Sequence, residues 1–200
     1  MISAIVLAAG FGSRLGGCIK ALLSIEGEAA LERILRQVKD AGIERPIVVL
    51  GHGASSIQET VDLSGCCAVV NLQPENGMSS SLLLGLEAAP SNAEGVLVFH
   101  VDMPFVKPET IRAVIEVAHD GARIAAPRHG TSRGFPVYFH RSCLAELTKT
   151  LSGDEGGRRY LGDHEASLTL VDVDDPGCLL DIDRPEDLTS GGRIECTTSA

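Results

Sequence analysis

Arg14 and Lys20, set among Gly10, Gly12, Gly16 and Gly17, are the residues of this chain best suited to chemistry. Glycines let backbone N–H groups approach an anion closely, and the two cations add charge where those groups converge. A polyphosphate, and hence a nucleoside triphosphate, is the ligand such a loop holds. Asp102 offers the complement. It ends the apolar run Gly95 to Val101 and precedes Met103-Pro104, where the chain turns away. A carboxylate there can hold Mg²⁺ together with substrate phosphates. Further on, Asp181 and Asp183 alternate with Ile182, so both could face one side of a short strand and give that ion a second ligand. The same acids also read as a helix start ahead of Pro185-Glu186.

Two more clusters bear on ligands. Asn76-Gly77-Met78-Ser79-Ser80-Ser81 opens a helix whose hydroxyls and free N–H groups suit a base edge, a sugar or an anion, while Ser79 equally suits a plain N-cap. Arg133-Gly134-Phe135-Pro136 precedes a strand and lies near Arg128 and His129. It reads either as a grip on a phosphorylated second substrate or as a surface turn. The cysteines contain no C-x-x-C pair, so neither a zinc site nor a disulfide framework is expected. His52, His100, His119, His140 and His164 form no H-x-x-x-H pair.

Spacing separates the glycine loop from its look-alikes. A dinucleotide fingerprint needs a third glycine where Leu15 stands, and an acid after the second strand, where Gly51-His52 stand. A P-loop needs a Gly-Lys-Ser/Thr terminus, which is absent.

The elements that must position these residues alternate. Apolar runs at Ile2 to Leu7, Ile47 to Leu50, Ala68 to Val70, Gly95 to Val101, Arg123 to Ala126, Pro136 to Phe139 and Leu168 to Val173 read as strands, with a last apolar run at Leu179 to Ile182. Helices are expected over Ala30 to Ala41, Ser79 to Ala89, Pro108 to Ala118 and Ser142 to Thr150, with a further one over Gly153 to Leu161 and a helical turn over Pro185 to Leu188. Near-continuous apolar strands alternating with helices predict an α/β fold, a mostly parallel sheet covered on both faces. Ligands then sit beyond the carboxyl ends of strands, where Gly10 to Lys20, Asn76-Gly77 and Asp102 all fall. A single domain over 1–188 is expected, followed by a polar, flexible tail over 189–200.

A net charge of −10 argues against nucleic acid as a partner. No apolar run approaches the roughly 18 residues that span a bilayer, and no secretory signal is expected, so the reading is cytoplasmic and free of membrane.

Taken together, these motifs resemble the molybdenum cofactor nucleotidylyltransferases, most closely the cytidylyltransferase branch, within the nucleotidyltransferase superfamily. The resemblance runs from Ile2 to Leu188. It rests on Leu7-Ala8-Ala9-Gly10, Ser13-Arg14-Leu15-Gly16, Lys20, Asn76 to Leu82 with Gly85-Leu86, Asp102-Met103-Pro104, Arg133-Gly134-Phe135-Pro136, Gly153-Asp154-Glu155-Gly156 and Asp181 to Leu188. It implies a Rossmann-like three-layer sandwich and Mg²⁺-dependent transfer of CMP from CTP to the terminal phosphate of molybdopterin, with pyrophosphate leaving and a recipient molybdoenzyme as a further partner. By position, Arg14 and Lys20 would steady the triphosphate, and Asp102 with Asp181 or Asp183 would hold the metal. Leu7, Ala8, Ala9, Gly10, Gly12, Ser13, Gly77 and Ser81 would line the nucleotide site; Arg133, Gly134 and Pro136 would face the second substrate. The chain departs from the branch in three places. The interval from Gly16 to Lys20 matches GTP users, although Ala8-Ala9-Gly10 matches CTP users. Phe135 stands in place of a histidine, and Val101 in place of a glycine. A guanylyltransferase and a sugar- or polyol-phosphate nucleotidylyltransferase therefore remain as alternatives.

Overall fold

The computed structural model describes residues 1–184, residue 187 and the backbone of residues 194–195. Along the chain, strand β1 (Ile2–Ala8) leads through the glycine loop to a short hairpin, β2 (Ser24–Ile25) and β3 (Glu28–Ala29), then helix α1 (Ala30–Asp40). Strand β4 (Ile47–Leu50), helix α2 (Ala54–Thr60), strand β5 (Cys67–Val70), helix α3 (Met78–Ala88), strand β6 (Gly95–His100) and helix α4 (Pro108–His119) follow. The second half holds β7 (Ile124–His129), β8 (Ser132–Arg133), β9 (Val137–His140), α5 (Arg141–Thr150), α6 (Arg158–Asp163), β10 (Leu168–Asp172) and β11 (Ile194–Glu195).

The main sheet runs β10-β7-β9-β6-β1-β4-β5, with β8 on β7. Strand β1 lies between parallel neighbours, Ile5 opposite Ile47 on one side and Val98 on the other. Among the described residues of this sheet, only β9 and the two-residue β8 run against the common direction. This is the α/β, mostly parallel sheet expected from the sequence. Every residue of β1 is buried, as befits a strand covered on both faces. Its alternate residues serve two layers: Ala4, Val6 and Ala8 pack with α1, α2 and α4, whereas Ile5 and Leu7 pack with α3, α5 and α6.

Helix α1 shows how local sequence sets this order. Leu31, Ile34 and Val38 turn inward, Glu32 accepts a hydrogen bond from the Ala29 N–H at the start, and Gly42 (φ +96°) ends the run. The buried face then holds a loop: Gln37 Nε2 and Arg33 Nε donate to the Pro104 carbonyl at 2.9 and 3.1 Å, fixing the turn beyond Asp102.

Two expectations changed. The apolar run at 179–182 is no strand; Pro176–Leu179 forms a 3-10 turn and 180–183 run as coil. The expected helix over 153–161 is split into a turn at Gly153–Glu155 and α6, because Gly156 adopts φ +52°. The turn expected at 185–188 and the tail lie outside the described residues, apart from Asp187 and β11, which pairs antiparallel with β2.

Helix α3 packs on β1 and β4 through Gly85, where an added Cβ would meet Ile5 Cγ2 at 2.5 Å and Val49 Cγ2 at 3.2 Å. Gly85→Val should therefore lower the unfolding free energy by about 1–3 kcal/mol in urea titrations. Gly162→Ala, a helical site with open space around it, should leave stability unchanged or slightly raised.

Candidate active site

Three segments meet beyond the carboxyl ends of β1 and β6. The glycine loop starts where β1 stops. Gly12 (φ +59°) and Gly16 (φ +68°) bracket the one-turn Ser13–Leu15 helix, and a side chain at Gly12 would collide with the Cys18 backbone. Leu15 drops from this loop into a small buried cluster with Leu23, Ile25, Ala30 and Ile182. Ile182 thereby ties the 181–183 segment to the loop, and its N–H donates to the Asp102 carbonyl at 2.8 Å.

That pinning brings the charges together. The Lys20 ammonium donates to Asp102 Oδ2 at 2.9 Å and also to Asp183 Oδ1. Arg14 Nη1 donates to the other oxygen of Asp183 at 2.6 Å. Burial disfavours the Lys20 charge, but Asp102 and Asp183 outweigh it and hold its pKa above that of an ordinary lysine. Asp183 is held below the usual carboxylate range, chiefly by the Lys20 hydrogen bond against the opposing effect of burial. At the end of β6, desolvation lowers the His100 pKa despite Asp102.

A cavity of about 740 Å³ opens over this cluster. Leu7, Ala9, Gly10, Gly12, Ser13, Arg14, Lys20, Gly77, Ser81, Asp102, Arg133, Asp181 and Asp183 line it, so most of the residues expected from sequence converge. Ala8, Gly134 and Pro136 do not line it. Strand alternation turns Ala8 to the opposite layer. Gly134 backs onto the turn at Cys178, where a Cβ has no room, and Pro136 follows a cis peptide. Arg128 and His129 also fall away: Arg128 makes a two-point ion pair with Asp172, and His129 Nδ1 meets the Val173 carbonyl.

The start of α3 is less open than its serines suggested. Asn71 Nδ2 donates to the Ser80 and Ser81 hydroxyls at 2.8 and 3.0 Å. Asp154 Oδ1 accepts from the Met78 N–H, and Ser79 Oγ accepts from the Gly156 N–H. Gly77 is the N-cap and Ser79 lies inside the first turn. Sequence reasoning passed over His100 and Arg158, both lining the cavity; only their places, at a strand end and after a paired glycine, hinted at them. The rings of Phe135 and His100 lie 4.4 Å apart, centroid to centroid, inclined at 67°.

Asp102, Asp181 and Asp183 are hard oxygen donors, the set a Mg²⁺-type ion takes, but no group of three or more acidic, histidine or cysteine residues is close enough to form a full metal cage among the described residues. Mg²⁺ usually binds one or two carboxylates and completes its shell with water and phosphate oxygens, so the residues fit such an ion.

The mostly parallel sheet, covered on both faces, puts the glycine loop and its cations at the strand ends, where α/β proteins bind ligands. The chain belongs to the MobA-like NTP transferase domain family, whose model matches residues 4–168. It is 29% identical over 194 residues to nicotine blue oxidoreductase of Paenarthrobacter nicotinovorans, covering 94% of each chain. Rv0371c of Mycobacterium tuberculosis H37Rv superposes with a TM-score of 0.81 at 30% identity, over 94% of this chain and 96% of that one. A second Rv0371c structure, a complex with manganese, gives 0.79 at 28% identity over the same shares. A nucleotidyl transferase of Methanothermobacter thermautotroptrophicus gives 0.81 at 29% identity, over 95% of both chains. No helix among the described residues is long and apolar enough to cross a membrane.

The Lys20 bridge is testable by carboxyl NMR. Asp183 should titrate below the usual aspartate value of about 3.9 in the native protein, and Lys20→Met should move it upward. Its contribution to stability is then present above about pH 4, the unfolded-state value, and lost as pH falls through the lower folded value. An unmoved Asp183 would show that the bridge does not form in solution.

Proposed function

We propose that the chain transfers CMP from CTP to the terminal phosphate of molybdopterin, releasing pyrophosphate. The observation that carries nucleotidyl transfer is the Lys20 ammonium held between Asp102 and Asp183 at the floor of the cavity, with Arg14 beside it. An acceptor phosphate oxygen forms a bond to the α-phosphorus of the nucleotide, and the α–β bridging bond breaks with its electrons leaving on pyrophosphate. The attacking phosphate is already ionised at neutral pH, so no residue need remove a proton from it. Positioning and charge neutralisation then supply most of the catalysis. Arg14 and Lys20 would face the charge gathering on the leaving group. Lys20 stays protonated at neutral pH because its two carboxylates favour the charged form. Asp102 with Asp183 or Asp181 would hold a divalent cation such as Mg²⁺, which supplies Lewis-acid neutralisation of the phosphates when bound. The manganese complex of Rv0371c supports a divalent ion here.

Ala8-Ala9-Gly10 favours CTP, and the Gly16-to-Lys20 interval favours GTP as the runner-up. The Arg133-Gly134 pair favours a molybdopterin acceptor over a sugar phosphate. The kinship with nicotine blue oxidoreductase raises a redox alternative. The glycine loop with Arg14 and Lys20, cations suited to a polyphosphate, favours phosphoryl chemistry.

Pyrophosphate release should occur with Mg²⁺, molybdenum-loaded molybdopterin and CTP, and fall by about 10²–10³ in Lys20→Met. Release with GTP alone would move the protein to the guanylyl branch. Redox turnover of nicotine blue by the chain, without pyrophosphate release, would overturn the transfer reading.

A further inference from the structure

Cys18 sits in the glycine loop, two residues before Lys20, and it is disulfide-bonded. Cys66, Cys67, Cys143 and Cys178 are free thiols. Of the six cysteines in the chain, that leaves Cys196. The cysteine spacing predicted no disulfide framework, and a single bond departs from that expectation.

The backbone brings the two ends of the chain together. Strand β11 pairs antiparallel with β2, Ile194 opposite Ile25 and Glu195 opposite Ser24. One step further, the same register would set position 196 opposite Leu23. Leu23 belongs to the buried cluster of Leu15, Ile25, Ala30 and Ile182, on which Cys18 packs. We propose that Cys18 and Cys196 form a reversible disulfide that ties the C-terminal strand to the glycine loop and weakens the loop's hold on a nucleotide.

The loop sets the direction of the effect. Its Leu15 and Gly17 N–H groups donate to the Gly12 carbonyl at 2.9 and 3.3 Å. The Cys18 N–H donates to the Leu15 carbonyl at 3.3 Å. The loop is thus folded on itself, and a phosphate gains these donors only when it opens. The Cys18 carbonyl also lies against Gly12, leaving no room for a side chain there. A tether at Cys18 holds the closed form, and reduction releases it. Where thiols are kept reduced, a bond at such a loop is a sensor rather than a staple. That the ligand is a nucleotide rests on the transfer reading; the bond itself does not.

Oxidation proceeds by exchange with a low-molecular-weight disulfide. One protein thiolate attacks it and expels a small thiol, leaving a mixed disulfide. The second protein thiolate displaces the other small thiol and completes the protein S–S bond. Two protein thiols and one small disulfide thus give one protein disulfide and two small thiols.

The full chain, equilibrated with oxidised or reduced glutathione, tests this. Peptide mapping of the oxidised protein, alkylated without reduction, should give a cross-linked peptide joining Cys18 and Cys196. Calorimetry with CTP and Ca²⁺ should show binding about tenfold weaker in the oxidised protein, a typical coupling between two sites. By reciprocity, CTP should raise the reduction potential of the bond by about 30 mV, the equivalent of that tenfold change for two electrons. Cys196→Ser kept without reductant should bind CTP as the reduced wild type does. A map that lacks the peptide, or joins Cys18 to another cysteine, would overturn the pairing. Equal CTP affinity in the two states, or CTP binding by neither, would overturn the switch. Absence of pyrophosphate release by the reduced protein, beside the expected change in CTP affinity, would remove the transfer reading and leave the switch standing.

Discussion

A single ammonium group organises the functional end of this protein. Lys20 sits between carboxylates from the turn after β6 and from the 181–183 segment, 82 and 163 positions away. Partial burial gives the contact weight, because a pair sheltered from solvent is less screened than one on the surface. Removing the lysine would leave two carboxylates facing each other. Removing either acid would leave a partly buried cation with a single carboxylate partner. The backbone is built to prevent both: Leu15 and Ile182 lock the glycine loop against the 181–183 segment, and Gln37 with Arg33 hold the turn after Asp102.

The same arrangement makes sense of an acidic protein with an anionic ligand. The formal charge is −10, while the cavity gathers Arg14, Lys20, Arg133 and Arg158 among Glu75, Asp102, Asp154, Glu155, Asp181 and Asp183. A cluster of interleaved charges is poised for exchange. A polyphosphate arriving with its metal can take over the cations and the carboxylates together, so the resting ion pairs stand in for the bound state and limit the reorganisation needed at the moment of reaction.

Much of this was legible from sequence, for reasons particular residues make clear. The apolar runs gave the strands, the Leu31-Ile34-Val38 stripe gave α1, and the placement of Arg14, Lys20 and Asp102 at strand ends follows from the general position of ligands in such sheets. Strand direction was not legible, because β9 reads as apolar whichever way it runs. Packing between distant segments was also hidden: Gly134 backs onto the turn at Cys178, whereas Ala8 turns from the cavity by plain strand alternation. Long-range partners cannot be read from local pattern: nothing near Arg128 announces Asp172, 44 positions on. Nor does the serine run announce Asn71 or the 153–156 loop that occupy its hydroxyls and first N–H group.

The most direct test of the account is a crystal structure with CTP and Mn²⁺, the ion located by its anomalous signal. The account predicts the ion between the carboxylates of Asp102 and Asp183, with Lys20 and Arg14 swung onto the phosphates. An ion bound away from both acids, with Lys20 still bridging them, would contradict it.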